Sequence, residues 1–308
     1  MSDSRYRLVT RPDFDGIVCG ALLEELDILD DAVFVHPKQM QDGAFAIGAD
    51  DIVANLPFQP GAHMVFDHHV SEEERVKSGS GHVIVTDAPS TARVVYDHYG
   101  GASAFPQISS DVLEAVDKCD SAAFTPDELL MPSGWMLLHF VLDPRTGLEE
   151  FREFEVSRDD LMRRLITYCR HTPIEEILQL PDVVDRVDTF VFNVEFAELQ
   201  IERCSRTDGA VVVTDYRAEK TTYPGNRFLV YGIYPACQVS ISLKPGLTDG
   251  LTEIAAGKSI VDRSSQANLG SIMLSHGGGG HANAATCQVP DGDVETVLAD
   301  IVARVKSA

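Results

Sequence analysis

Asp67, His68 and His69 stand together at the end of a short apolar run, Val65-Phe66, that reads as a buried β-strand. Two neighbouring imidazoles at a strand end cannot both point the same way, so one can ligate a metal while the other faces a substrate. A second acidic group, Asp13-Phe14-Asp15-Gly16, follows another apolar run at residues 6–10. Carboxylates and imidazoles gathered at strand ends are how α/β proteins build sites for divalent cations. A third feature is the run His276-Gly277-Gly278-Gly279-Gly280-His281, followed by the small residues Ala282-Asn283-Ala284-Ala285. Four glycines permit positive φ and close backbone approach. The small residues after them suit a helix start, where exposed N–H groups bind phosphate.

The apolar pattern outlines the elements that must position these residues. In the first half, runs at 7–10, 32–36, 51–55 and 63–66 read as strands, while 16–29, 90–99 and 110–118 have helical spacing, with Ser90 a suitable N-cap. Strands alternating with helices imply a mostly parallel sheet with flanking helices. A helical region follows at 134–178. The stretch 183–203, with apolar Val187, Phe190, Val194, Phe196 and Leu199, reads as a helix joining two domains. Beyond it, 210–214, 227–233 and 238–243 look like strands between Gly- and Pro-bearing turns, and 294–305 suits a closing helix. The expectation is an α/β protein. Its N-terminal domain spans 1–185, a connecting helix 186–204 and a smaller α/β C-terminal domain 205–308, with the active site in the cleft between the domains.

With 308 residues, of which 44% are hydrophobic and 24% charged, the chain has material for two globular domains. It has no apolar run of about 18 residues, so no spanning helix and no membrane role are expected. The start Met1-Ser2-Asp3-Ser4-Arg5 lacks the basic and apolar regions of a secretory signal, so the expected location is the cytoplasm. Six scattered cysteines without a CxxC pair are expected to be reduced thiols. The formal net charge of −23 disfavours long duplexes, and no basic, aromatic-lined groove for long single strands is evident. A small phosphorylated ligand is compatible with this charge, because a metal and local arginines reverse the field inside a cleft.

Taken together, these motifs resemble the DHH phosphoesterase superfamily, in its members with a DHH-associated C-terminal domain. Among those the likeness is to bacterial exopolyphosphatase-related proteins. It runs over nearly the whole chain: Asp13 to Gly16, then Asp67-His68-His69, then Cys119-Asp120-Ser121-Ala122-Ala123-Phe124, then Gly278 to Ala285, in that order. The resemblance implies a phosphohydrolase that uses metal-activated water on a phosphoester or phosphoanhydride bond, with one or two Mn2+ or Mg2+ ions. The implied substrate is small and phosphorylated: a short single-stranded oligonucleotide, a nucleotide or polyphosphate. By position, Asp13 belongs to a first metal site, and Asp15, His68 and Asp120 to a second. Asp67 supports the ligands and His69 faces the scissile phosphate. Gly278, Gly279, Gly280 and His281 hold the far end of the substrate, with Arg263 a candidate beside them. Asp117 rivals Asp120 for the late carboxylate, and the likeness of Asp120-Ser121-Ala122-Ala123-Phe124 to the family's motif favours Asp120.

Two positions depart from the family's pattern. Arg11 and Pro12 precede Asp13 where a histidine is usual, and Asn55 ends the strand that usually offers a bridging aspartate. Several readings stay open. One ion could sit among Asp15, His68, Asp120 and Asn55. Arg11 could replace an ion by clamping phosphate. His36, Asp42 or Asp51 could supply a substitute ligand. The alternative to hydrolysis is a catalytically impaired phosphate- or nucleotide-binding protein. Asp13 and Asp15 also suit plain helix capping, and Asp143-Pro144-Arg145-Thr146-Gly147 is turn chemistry before it is a phosphate contact. A homodimer is compatible with the sequence.

Overall fold

A computed structural model describes residues 4–69, 72, 81–246 and 248–308. The first three residues of the N-terminal stretch considered above lie outside these. Contacts divide the chain into two units: residues 1–123, 133–144 and 153–188 form the first, and 124–132, 145–152 and 189–308 the second. The sequence suggests one uninterrupted segment on each side of a connecting helix; two short pieces of the first half instead pack with the second unit.

The first unit is built on β1 (Tyr6–Thr10), β2 (Leu29–Phe34), β3 (Asp51–Ala54), β4 (Met64–Asp67) and β5 (His82–Ile84), in the order β2-β1-β3-β4-β5. Every neighbouring pair is parallel. Parallel strands are covered on both faces, which is why β3 is buried at all its positions and reads as a continuous apolar run. Helix α1 (Phe14–Glu25) leaves β1 directly; α2 (Thr91–His98), α3 (Ser110–Asp120) and α4 (Arg158–His171) follow β5. Ser90 caps α2 as its sequence suggests. Val9, Val53 and Val65 from three adjacent strands share a buried cluster with Val35, Met40 and Leu56. A bidentate pair, Arg7 Nε to Asp51 Oδ1 at 2.7 Å and Arg7 NH2 to Asp51 Oδ2 at 2.9 Å, ties β1 to β3 away from the strand ends that matter below. The chain's progression across the sheet reverses between β1 and β3, the kind of switch point where open α/β sheets bind ligands.

The long helix α5 runs Pro181–Cys204. Of the apolar residues expected on its inner face Phe190 is buried, whereas Phe196 and Leu199 are 43% and 52% exposed. No helix of the described residues is long and apolar enough to cross a membrane.

The second unit carries β6 (Ser205–Asp208), β7 (Val211–Asp215), β8 (Val239–Pro245), β9 (Leu251–Lys258), β10 (Gly279–His281) and β11 (Ala284–Pro290), in the order β10-β11-β9-β8-β7-β6. Only β7 and β8 pair in parallel. On β8, β9 and β11 burial alternates residue by residue, the mark of a sheet with one covered face. Ile241, Ile254 and Val289 from those strands meet Met273 of α6 (Leu269–Leu274) and Leu298 and Ile301 of α7 (Val294–Lys306).

Two sequence expectations give way here. Residues 227–233, β-prone by composition, hold a short helix, Leu229–Ile233, because Leu229 buries itself against Ala197 and Ile201 of α5. The glycine run does not lead into a helix. It forms the edge strand β10, paired in antiparallel fashion with the small residues of β11, Gly279 opposite Thr286 and Gly280 opposite Ala285. Its glycines serve close strand approach: a Cβ on Gly278 would lie 2.1 Å from the Thr286 carbonyl oxygen and 2.5 Å from Cys287 Cβ, whereas one on Gly279 meets nothing. Gly278→Ala is therefore expected to lower unfolding free energy by about 1–3 kcal/mol. Gly279→Ala should stay within about 0.5 kcal/mol of the parent. Urea denaturation of the two variants checks the contrast, and equal losses would refute it.

Candidate metal centre and active site

The β1–α1 turn carries the first acidic group. Asp13, in extended conformation, caps α1 by accepting the Gly16 N–H at 3.0 Å. Gly16 is required there, since a Cβ would stand 2.3 Å from the Arg11 carbonyl oxygen. Asp15, in the first turn of α1, is buried, and its carboxylate accepts the Thr91 N–H at 3.1 Å and the Ala92 N–H at 2.7 Å. These are the first amides of α2, where a helix offers unpaired donors and positive potential to an anion. The sequence marks Ser90 as a cap, but nothing in it links α2 to Asp15.

The second group ends β4. One oxygen of buried Asp67 accepts the backbone N–H groups of His68 and His69, at 2.7 and 2.9 Å, and lies 2.6 Å from His69 Nδ1. Asp67 thus orients the exposed His69 ring with Nε2 directed away from it. The His68 ring turns the other way, as expected of adjacent imidazoles, with the two ring planes 66° apart. Its Nδ1 lies 3.0 Å from the Ala88 carbonyl oxygen, so Nδ1 carries the proton and a neutral ring presents the Nε2 lone pair, the tautomer a metal takes.

Asp15, His68 and Asp120 converge, each with a ligand atom within 4.8 Å of the others'. His68 Nε2 is 2.8 Å from Asp120 Oδ2. The approach is off the N–H direction, so this buried atom has no hydrogen-bond partner among the described residues and the contact is a charge pair. Two carboxylates and an imidazole nitrogen are a donor set that fits a divalent cation. Without one, burial, then repulsion from Asp120 and Asp13, hold the Asp15 carboxyl well above the usual carboxylate range. Burial opposes the charged form of His68, but Asp120, the Ala88 carbonyl and Asp15 outweigh it and raise the ring to about 9.

Asp13 stands outside this group. Its carboxylate lies 3.1 Å from Arg11 Nε and accepts Asn55 Nδ2 at 3.2 and 3.4 Å. Asn55, just past β3, has φ of 57°, a left-handed conformation that asparagine tolerates. Asp117 does not reach the cluster: Ser90 Oγ and the Arg93 guanidinium hold it. The proposed substitutes are engaged elsewhere too. His36 caps a short helix through the Lys38 N–H, Asp42 pairs with Lys38 and Asp51 pairs with Arg7. In the second unit Gly279, Gly280 and His281 lie exposed on β10, and Arg263 donates to the Ile260 carbonyl.

A cluster of two carboxylates and an imidazole beside the carboxyl ends of a parallel sheet is a candidate divalent-cation site of an α/β protein. No protein-family model matches the chain, and no curated protein matches its sequence. Among solved structures it is similar to the pGpG-specific phosphodiesterase PggH from Vibrio cholerae, with 46% sequence identity, a TM-score of 0.91, and 98% of this chain and 99% of that one covered. RecJ of Thermus thermophilus in complex with Mn2+ shares the fold at 12% identity and a TM-score of 0.57, over 99% of this chain and 52% of that one. CDC45 from Entamoeba histolytica does so at 10% and 0.53, over 98% and 95%. The chain belongs to the DHH phosphoesterase superfamily.

The charge state of His68 has a measurable consequence. Metal-free folded protein keeps a proton on His68 up to about 9, whereas the unfolded chain releases it near 6.5. Stability from that proton is whole below pH 6.5 and lost as pH rises through about 9. Asp15, raised in the fold, contributes with the same sign from lower pH upward. The melting temperature of chelator-treated protein is expected to fall between pH 6.5 and 9, with the gain from added Mn2+ largest at the upper end, where no proton need be displaced. A melting temperature that climbs across this window in chelator would contradict the assignment.

Proposed function

We propose that the chain is a Mn2+- or Mg2+-dependent phosphodiesterase acting on short 5′-phosphorylated oligonucleotides, with the linear dinucleotide pGpG as its substrate. The observation that carries this reading is the full-length 46% identity to a pGpG-specific phosphodiesterase. The convergence of Asp15, His68 and Asp120 supports it from the side of the chemistry. Net charge of −23 fits a small ligand captured locally better than a long polyanion held by a basic surface.

The reaction adds water across the P–O3′ bond and yields two molecules of GMP. Asp15, His68 and Asp120 would hold the ion. When bound, the ion supplies positive charge to the phosphate and lowers the pKa of water. Arg11 engages Asp13 through Nε, and its terminal nitrogens would contact a phosphate oxygen. His69, held at Nδ1 by Asp67, offers Nε2 to the scissile phosphate or the departing O3′. β10 is the edge strand of its sheet and its residues Gly279, Gly280 and His281 are exposed; with Gly278 and Arg263 they would bind the 5′-phosphate or guanine at the far end.

Turnover of pGpG, longer oligonucleotides and polyphosphate by metal-depleted protein, with and without Mn2+, tests the reading. Mn2+-dependent release of GMP from pGpG is expected, with longer chains cut more slowly. His69→Ala should lower kcat by about 10²–10⁴-fold with a smaller change in KM. Tight pGpG binding without Mn2+-dependent turnover of any substrate would sink the hydrolase reading and leave a nucleotide-binding protein.

A further inference from the structure

Asp13 lies beside the cluster and carries the right charge for a metal ligand, yet its surroundings already satisfy it. Oδ1 accepts the Gly16 N–H of its own helix cap at 3.0 Å and Asn55 Nδ2 at 3.2 Å. Oδ2 faces Arg11 Nε at 3.1 Å. A guanidinium cannot give up its charge by losing a proton, as an imidazole can, so it stays a competing cation at every accessible pH. A dication at Asp13 would have to displace it.

Asn55 explains why the arrangement is closed. Its amide must point Nδ2 at Asp13, because an amide oxygen there would face the carboxylate oxygens. An aspartate at this position would bring a second carboxylate as near, which calls for a cation or a shared proton between the two. Arg11 and Asn55 are thus a matched pair, the first neutralising Asp13 and the second approaching it without charge. Oδ1 of Asn55 is left buried with no hydrogen-bond partner among the described residues, an acceptor still open to a cation or donor. Asp15, His68 and Asp120 form a separate group that Asp13 does not join.

We infer that the centre takes a single divalent ion, on Asp15, His68 and Asp120, and that the Arg11 guanidinium serves Asp13 as a built-in cation where a second ion would otherwise be required. The inference rests on the phosphohydrolase reading above and deepens it. Arg11 becomes a positioning and charge-supplying residue of the first rank, and Asp13 an anchor for it rather than a ligand.

Metal counting tests this without reference to turnover. Metal-free protein is dialysed against Mn2+, and bound manganese is measured by elemental analysis and by electron paramagnetic resonance. The wild-type protein is expected to bind one ion per chain with a mononuclear spectrum. Asp13→Asn keeps the helix cap and should change Mn2+ affinity less than about threefold, whereas Asp15→Asn and Asp120→Asn, which remove ligands, should weaken it more than about tenfold. The double variant Arg11→His with Asn55→Asp removes the guanidinium and restores an anion, and is expected to bind two ions with an exchange-coupled spectrum.

Two ions on the wild-type protein, none at all, or a loss on Asp13→Asn equal to that on Asp15→Asn would overturn the inference. Assaying pGpG hydrolysis on the same samples separates the two readings. Two ions with turnover removes the single-ion centre and keeps the phosphodiesterase; one ion without turnover on any substrate does the reverse.

Discussion

The centre depends on the burial of a carboxylate. Asp15 is shielded from water, and two backbone amides at the start of α2 donate to it, with the His68 ring as a further compensating charge. A buried charge without such partners would be prohibitive. The helix that supplies the amides is itself held by its Ser90 cap, and Ser90 and Arg93 are bound in turn to Asp117 on α3. The same helix α3 delivers Asp120 to His68, one turn further on. One chain of contacts therefore fixes two carboxylates of the group at once. The burial that makes Asp15 costly in the free protein also makes a divalent cation favourable there, since opposite charge is felt most strongly where water is excluded.

The three aspartates around the ends of β1 and β4 are neutralised in different ways. Asp67 is used up by backbone amides and by His69, so it shapes the site without facing a ligand. Asp13 is matched by Arg11 and Asn55. Asp15 accepts two backbone amides and, with Asp120 and His68, forms the group that could hold a cation. This unequal distribution leaves Asp15, His68 and Asp120 as the one group among the described residues able to hold a cation, with Arg11 paired to Asp13.

Much of the site was legible in the sequence because ligand chemistry is a property of residue types and strand ends are local features. Asp67-His68-His69 after an apolar run, and Asp13 and Asp15 after another, could be placed on a parallel sheet from periodicity alone. Motif likeness favours Asp120 over Asp117, and in the structure Asp120 lies against His68 while Asp117 is held by Arg93. The glycine run reads in sequence as a helix start, because glycine permits close approach equally there and in a tight hairpin, and only strand pairing with Ala284–Pro290 distinguishes them. Residues 227–233 failed for a similar reason: β propensity yields to the burial of Leu229 against a distant helix.

By itself, then, the sequence determined the superfamily, the α/β character of the first unit and the chain order of the candidate ligands, all of which depend on residue identity and short-range pattern. Tertiary structure alone decided which acid serves which partner. Asp13 meets Asn55 across 42 residues, and Asp15 meets the α2 amides across 76 and 77. Those pairings depend on strand order and helix placement, and no local pattern encodes them. They turn a set of family motifs into a candidate cation group of Asp15, His68 and Asp120, and an Asp13 paired with Arg11 and Asn55.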